Sequence, residues 1–151
     1  MKLSKITSPD LIKIGVRSQT KTELLLELLD LLVAKGQVHD REKVLKALLV
    51  RESQQSTGLE SGIAVPHAKT DAVSILQLAV GVSKDGMDFD SLDSKPSRLF
   101  FLMLAPPGAS GPHIEALSEI ARLCSNDEAL SMMMNAKTPF AMYEIIKGEM
   151  G

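Results

Sequence analysis

A single cysteine, Cys124, occurs in this chain of 151 residues, so no internal disulfide can form, and that usage fits a reducing compartment. Long apolar runs are missing too. The most apolar segment, residues 24–34, is broken by Glu27 and Asp30 and falls short of the roughly 20 residues a membrane span needs, so it reads as a core helix. No charged-then-apolar leader follows Met1, and the expected location is the cytoplasm, without membrane insertion. Neither sign of charge dominates: 17 basic residues against 19 acidic ones give a formal charge of −2. With no basic run and no aromatic interleaving, nucleic acid is not an expected partner.

Several chemistries are absent as patterns. The TGLESG stretch lacks the Lys-Ser/Thr ending of a nucleotide-binding loop, and no GxSxG elbow occurs. His39, His67 and His113 have neither the helical spacing nor the cysteine company of a zinc site. Asp85, Asp88, Asp90 and Asp93 are spread over a polar connection that lacks the glutamate of a calcium loop. Cys124 lies on the apolar stripe of a helix, which argues against a nucleophilic thiol. No metal and no cofactor is expected.

What is present suits one domain over residues 1–151, since 44% apolar residues at this length fill one three-layer core. Residues 11–16, LIKIGV, read as a short strand. Thr20 with Glu23 marks a helix start and Gly36 its end, giving a helix over 21–35 with Leu25, Leu28, Leu29 and Leu32 inside. Asp40 caps a second helix over 41–51, with Val44, Leu45, Leu48 and Leu49 as its apolar set and Arg51 in its last turn. Residues 74–83 and the apolar run 98–104 read as strands, joined by a surface connection with a turn at Gly86. Pro112 opens a helix whose stripe is Ile114, Leu117, Ile120, Ala121 and Cys124. Asn126 or Asp127 caps a methionine-rich helix, in which Met132, Met133 and Met134 serve as core or interface filler. Thr138-Pro139 opens the last helix and Gly148 closes it. This order predicts an α/β fold with three layers, α/β/α, around a central mixed sheet.

The chain is organised around residues 51–69, RESQQSTGLESGIAVPHAK. Gly58 and Gly62 free the backbone, while Ser56, Thr57 and Ser61 add hydroxyls with little bulk, so the loop can expose amides to an anion. Ile63-Ala64-Val65 reads as a buried strand end, after which Pro66 sets His67 down where the strand leaves the sheet. On spacing alone, a histidine after an apolar run is more often a residue satisfied by a backbone carbonyl. His113 sits at a helix N-terminus, where it can either cap its own helix or serve an anion.

The words TGLESGIAVPH, with Arg51-Glu52 before them and GPHIEAL after, resemble the signature of the IIA component of the phosphoenolpyruvate-dependent sugar phosphotransferase system, fructose–mannitol type. KDGMDFDSLD and RLFFLMLAPPGASGPHIEALSEIARL extend the resemblance over nearly the whole chain. One departure is Glu60, where the family usually has glycine. The resemblance implies a mixed-sheet α/β domain with its site at the sheet edge, in a shallow apolar depression suited to docking another protein. It implies that His67 carries the phosphoryl group as a tele-phosphohistidine, that His113 and Arg51 support that group, and that Thr57, Gly58 and Gly62 form the supporting loop. The partners it implies are the carrier protein HPr as donor, a cysteine on a IIB domain as acceptor, and indirectly a membrane IIC permease. The wording of residues 84–117 looks more like the fructose branch than the nitrogen-related regulatory branch.

Overall fold

The computed structural model describes residues 2–148, whose strands form one mixed sheet. Strand β1 (Ile12–Ile14) runs parallel to β4 (Gln77–Met87), which pairs antiparallel with β5 (Ser97–Ala105). Two short strands, β2 (Ile63–Ala64) and β3 (His67–Lys69), both run parallel to β5 on its other side. They make a single broken edge, interrupted at Val65-Pro66. Proline lacks a donor and is tolerated on such an edge, where one side of the strand needs no ladder bond.

β5 alternates because helices cover both of its faces. Phe100, Leu102 and Leu104 pack with α1 (Lys21–Ala34) and α2 (Arg41–Gln54). Leu99, Phe101 and Met103 pack with α3 (Ser110–Cys124), α4 (Asp127–Met134) and α5 (Pro139–Gly148). Each such side chain taken fully out of water contributes about 1.5–3 kcal/mol, which makes β5 the anchor of the edge carrying His67. Gly81 lets α1 lie close to the sheet, because a Cβ there would stand 2.9 Å from both Leu28 Cδ2 and Val16 Cγ1.

Except at α3, where Ala109 offers no side-chain cap, the helix starts follow their caps. Thr20 Oγ1 accepts from Glu23 N at 3.3 Å, Asp40 from Lys43 N at 3.1 Å, Asn126 from Ala129 N at 2.9 Å and Thr138 from Ala141 N at 3.0 Å. Glu27, which interrupts the apolar run, is half-buried and fully engaged. Burial alone would raise its carboxyl, but Lys13 at 2.8 Å, the Ser18 hydroxyl and the amides of Arg17 and Ser18 hold it down at about 2.

Element limits and helix faces differ from the sequence reading in five places. The first strand stops at Ile14, because Gly15 adopts φ +81° and both Gly15 N and Val16 N donate to Val82 O. Helix α2 continues to Gln54, and its inner face takes Glu52 while Leu49 is 37% exposed. Strand β4 begins three residues later than expected and runs through residues 84–87; Gly86 makes an irregularity within it, not a turn outside it. His67 opens a strand of its own, paired with Met103. Helix α3 starts at Ser110 and rolls to bury His113, Ala116, Ile120, Leu123 and Cys124, which leaves Ile114 66% exposed and Ala121 outside. The apolar residues of α3 are dense enough to fit two adjoining faces, and packing against the sheet edge selects the one containing His113.

Candidate functional site

The C-terminal end of α2, strand β3 and the first turns of α3 enclose an open depression of about 700 Å³ beside the broken edge. Its walls include Ala47, Val50, Ile114 and Leu117, and its polar groups are Lys46, Arg51, His67, Lys69 and His113, with the Lys43–Asp71 ion pair at 2.6 Å on the margin. Lys46, Arg51 and Lys69 have no carboxylate partner among the described residues. The depression therefore offers apolar surface and uncompensated positive charge together.

His67 is fixed in one tautomer. Its Nδ1 lies 2.6 Å from Val65 O, and a carbonyl can only accept, so Nδ1 carries the proton and Nε2 carries the lone pair. Burial lowers its pKa from the ordinary 6.5, and the charge of Arg51 lowers it further, against the opposing pull of the Val65 carbonyl and of Glu52. His113 packs edge-on against it, with ring centroids 5.4 Å apart at 74°. His113 is only 5% exposed, and burial, then the neighbouring His67 and Lys69, lower its pKa too. Both rings are thus neutral near pH 7. His113 Nε2 is buried without a hydrogen-bond partner among the described residues, an orphan of a kind that native structures rarely leave without a reason.

The structure brings His67, His113 and Arg51 together, but the helix end does not act through the His113 amide. Because α3 begins at Ser110, His113 N already bonds Ala109 O at 2.9 Å, and it is the ring that faces the site. Arg51 Nη1 donates to Gln55 O at 2.7 Å, which ties the guanidinium across the end of α2 and leaves its other nitrogens available. Lys69, which sequence reasoning passed over, donates to Ser110 Oγ at 2.8 Å at the start of α3. Its signal was available: two residues beyond His67 in a strand, it shares the same face.

The supporting loop lies outside the depression, and most of its amides are engaged. Glu52, 8% exposed, accepts from Thr57 N at 3.3 Å, from the Thr57 hydroxyl by a short contact, and from Lys21 at 3.0 Å. Gly58 N donates to Ser56 Oγ, Leu59 N to Ile63 O, Ser61 N to Asp93 and Ile63 N to Glu60 O. Gly58 is required by contact, since a Cβ would come 2.6 Å from Phe89 O, and Gly62 by its φ of +78°. Glu60 is exposed on the loop and does not line the depression. The loop fixes where β2 and β3 begin and offers no cradle at residues 57–59.

Cys124 is buried and its thiol is pushed up to about 12 by that burial, so it stays protonated. Asp88 and Asp93 receive the amides of Asp90 and Lys95, and Asp90 pairs with Lys21 at 3.0 Å. Among the described residues no three acidic, histidine or cysteine side chains are grouped to hold a metal ion, and no helix is long and apolar enough to cross a membrane.

Fold and site together define an α/β domain that presents a neutral histidine pair, ringed by unpaired cations, at the open edge of a mixed sheet. Residues 5–149 match the family model described as phosphoenolpyruvate-dependent sugar phosphotransferase system, EIIA 2, and the chain belongs to that family of phosphoryl-transfer components. It is 37% identical to the fructose-specific EIIA component of Haloferax volcanii, over 95% of this chain and 94% of that one. It is 38% identical to the fructose-specific EIIABC component of Bacillus subtilis, over 97% of this chain, which spans only 23% of that longer protein. Among solved structures, the nitrogen regulatory protein IIA-Ntr of Neisseria meningitidis superposes with a TM-score of 0.88 at 28% identity, over 95% of this chain and 97% of that one.

Proposed function

We propose that the protein is the IIA phosphoryl carrier of a sugar phosphotransferase system of the fructose class, with His67 as the residue that bears the phosphoryl group. The observation that carries this reading is the hydrogen bond from His67 Nδ1 to Val65 O, which leaves the Nε2 lone pair as the nucleophile. In the first transfer, Nε2 attacks phosphorus while the N–P bond of the donor, phospho-HPr, breaks and its electron pair returns to the donor imidazole. The proton stays on Nδ1 throughout, donated in a hydrogen bond to the Val65 carbonyl. The resulting imidazolium–phosphate is a reactive donor, and in the second transfer a IIB cysteine thiolate attacks phosphorus as the His67 N–P bond breaks. Phosphoryl transfer of this kind needs in-line placement and neutralisation of the equatorial oxygens. His113 can meet an oxygen through a ring nitrogen now without a partner, and Arg51 adds a charged planar fork. The apolar rim of Val50, Ile114 and Leu117 suits the docking of both protein partners. The name of the Bacillus relative groups the A, B and C components in one protein, which supports a IIB domain as acceptor and a IIC permease beyond it.

The test is incubation with phosphoenolpyruvate, enzyme I and HPr, followed by mapping of acid-labile phosphate and by addition of candidate IIB domains. Label on His67 that moves to a IIB cysteine is the expected result; label elsewhere would overturn the assignment. The likeness to IIA-Ntr favours a second reading, in which phosphorylation controls binding to regulatory partners and nothing passes to sugar. Label on His67 that no fructose-class IIB domain accepts would select it.

A further inference from the structure

A second cationic pocket, of about 370 Å³, lies at the end of β1, against Val82 and Lys84 of β4, at the start of β5 and beside the segment joining α4 to α5. It shares no lining residue with the His67 depression. Lys84, Arg98 and Lys137 line it, and among the described residues no carboxylate does. Its shape comes from two breaks in strand pairing. Gly15 N and Val16 N both donate to Val82 O, and Arg98 N and Leu99 N both donate to Gly62 O at 2.8 and 2.9 Å. Two successive amides on one carbonyl mark an inserted residue, a β-bulge. Ser97 pairs with Met87, which belongs to the α1–α2 layer, whereas Leu99 belongs to the α3–α5 layer. The bulge between them turns Arg98 to the side of Leu99, toward Met134 of α4.

None of the three cations has a carboxylate partner among the described residues. Arg98 Nε is buried with no hydrogen-bond partner, and Arg98 Nη1 has only the Met134 sulfur at 4.0 Å. A buried cationic donor is costly unless an acceptor satisfies it. Neutral hydroxyls would satisfy the donor but not the charge. A phosphate group does both, since it presents several oxygens to the guanidinium fork and to the ammonium groups. The recess of Arg98 Nε beneath the protein surface requires that the anion be small enough to enter.

We propose that this pocket is a binding site for a small phosphate-bearing anion, distinct from the phosphoryl site at His67. Titration of the 15N-labelled 151-residue chain with inorganic pyrophosphate, at an ionic strength held constant with sodium chloride, tests it. The Arg98 Nε–H resonance, identified by its loss in Arg98→Lys, should shift and saturate together with the amides of Gly15 and Lys137, while those of His67 and Lys69 stay in place. Lys84→Met and Lys137→Met are surface changes outside the transfer site. Each should weaken the binding about tenfold, the order of one charge-assisted contact, and leave phosphorylation of His67 by HPr unchanged. Shifts that do not saturate through the millimolar range, that follow chloride as readily as pyrophosphate, or that map to His67 and Arg51 would overturn the proposal. So would pyrophosphate binding that both lysine variants retain in full. If a polyglutamate peptide reproduces the shifts and pyrophosphate does not, the pocket receives an acidic protein and the small-anion assignment fails.

Discussion

In the loop that leads into β2, Thr57 donates to Glu52 through both its amide and its hydroxyl, Gly58 N to Ser56 and Ser61 N to Asp93. A few residues further along the same sheet edge, His67 uses only one ring nitrogen and His113 leaves a buried nitrogen without any partner. Both stretches look alike in sequence, small and polar residues around a short apolar run. The first is closed, with its polar groups engaged in holding the chain, and the second is open, with polar groups kept for something that arrives. Satisfied buried groups specify a conformation, whereas an unsatisfied one stores a preference for a ligand. The contrast predicts that changes in the loop act on stability and that changes at the histidine pair act on transfer.

The largest expected effect is at the open end. His67→Ala should accept no phosphoryl group from phospho-HPr and should unfold in urea at a midpoint close to that of the wild type; residual label on the variant would break the comparison at once. His113→Ala should still take up phosphate but pass it to IIB between about ten- and a hundredfold more slowly, less than a fully enclosed donor would cost because this site is open to water. Unchanged rates in both directions would make the His113 ring a packing element only.

At the closed end, Glu52→Ala strands Thr57 N and the Thr57 hydroxyl and leaves Lys21 with Asp90 alone, and should lower the free energy of unfolding by about 2–3 kcal/mol. Transfer per folded molecule should stay near the wild-type value, which a urea melt and a rate measurement on the same sample would establish. Arg51→Lys sharpens the boundary between the two regions. A cation that merely complements the end of α2 is replaceable at a cost of a few tenths of a kcal/mol. If the guanidinium fork meets the phosphoryl oxygens, transfer in the lysine variant should be several times slower at near-native stability.

The smallest effect is a pH dependence. His67 and His113 are both held below the ordinary histidine value of 6.5, so the unfolded chain binds more protons than the folded one as pH falls past that point. Their neutral forms therefore contribute stability that is complete above pH 6.5 and diminishes as pH falls toward and through the folded-state values. Urea midpoints measured from pH 7.5 to 5 should decline more steeply for the wild type than for the His67→Ala/His113→Ala double variant. Equal slopes would show that neither ring is desolvated in solution as it is in the structure.

All helix starts except that of α3 were legible in the chain because caps are local: Thr20, Asp40, Asn126 and Thr138 each bond an amide three residues ahead, and no distant part of the protein is needed for that. The course of β5 was legible for a related reason, since a nearly continuous apolar run has no favourable place except between two helical layers. The apolar run up to Pro66 likewise marked where β2 stops, but not that the chain rejoins the sheet at His67.

What remained for the tertiary structure was every choice between locally equivalent options. The roll of α3 exchanges Ile114 for His113 on the inner face, a difference of one residue that periodicity cannot resolve but that the fit against β3 does. The amide of Thr57 could not be assigned as free or engaged without knowing that Glu52 turns inward from α2 to meet it. Arg98 reaches a pocket only because two amides share Gly62 O, an insertion that no pattern of residue types announces. Sequence by itself determined the helices, the strands β1, β4 and β5 to within a few residues, and the apolar stretch that ends at Pro66, because capping, burial and proline act over a few residues. Only the tertiary structure decided which polar groups are satisfied and which are left waiting, because hydrogen-bond satisfaction depends on partners that the fold brings from far along the chain.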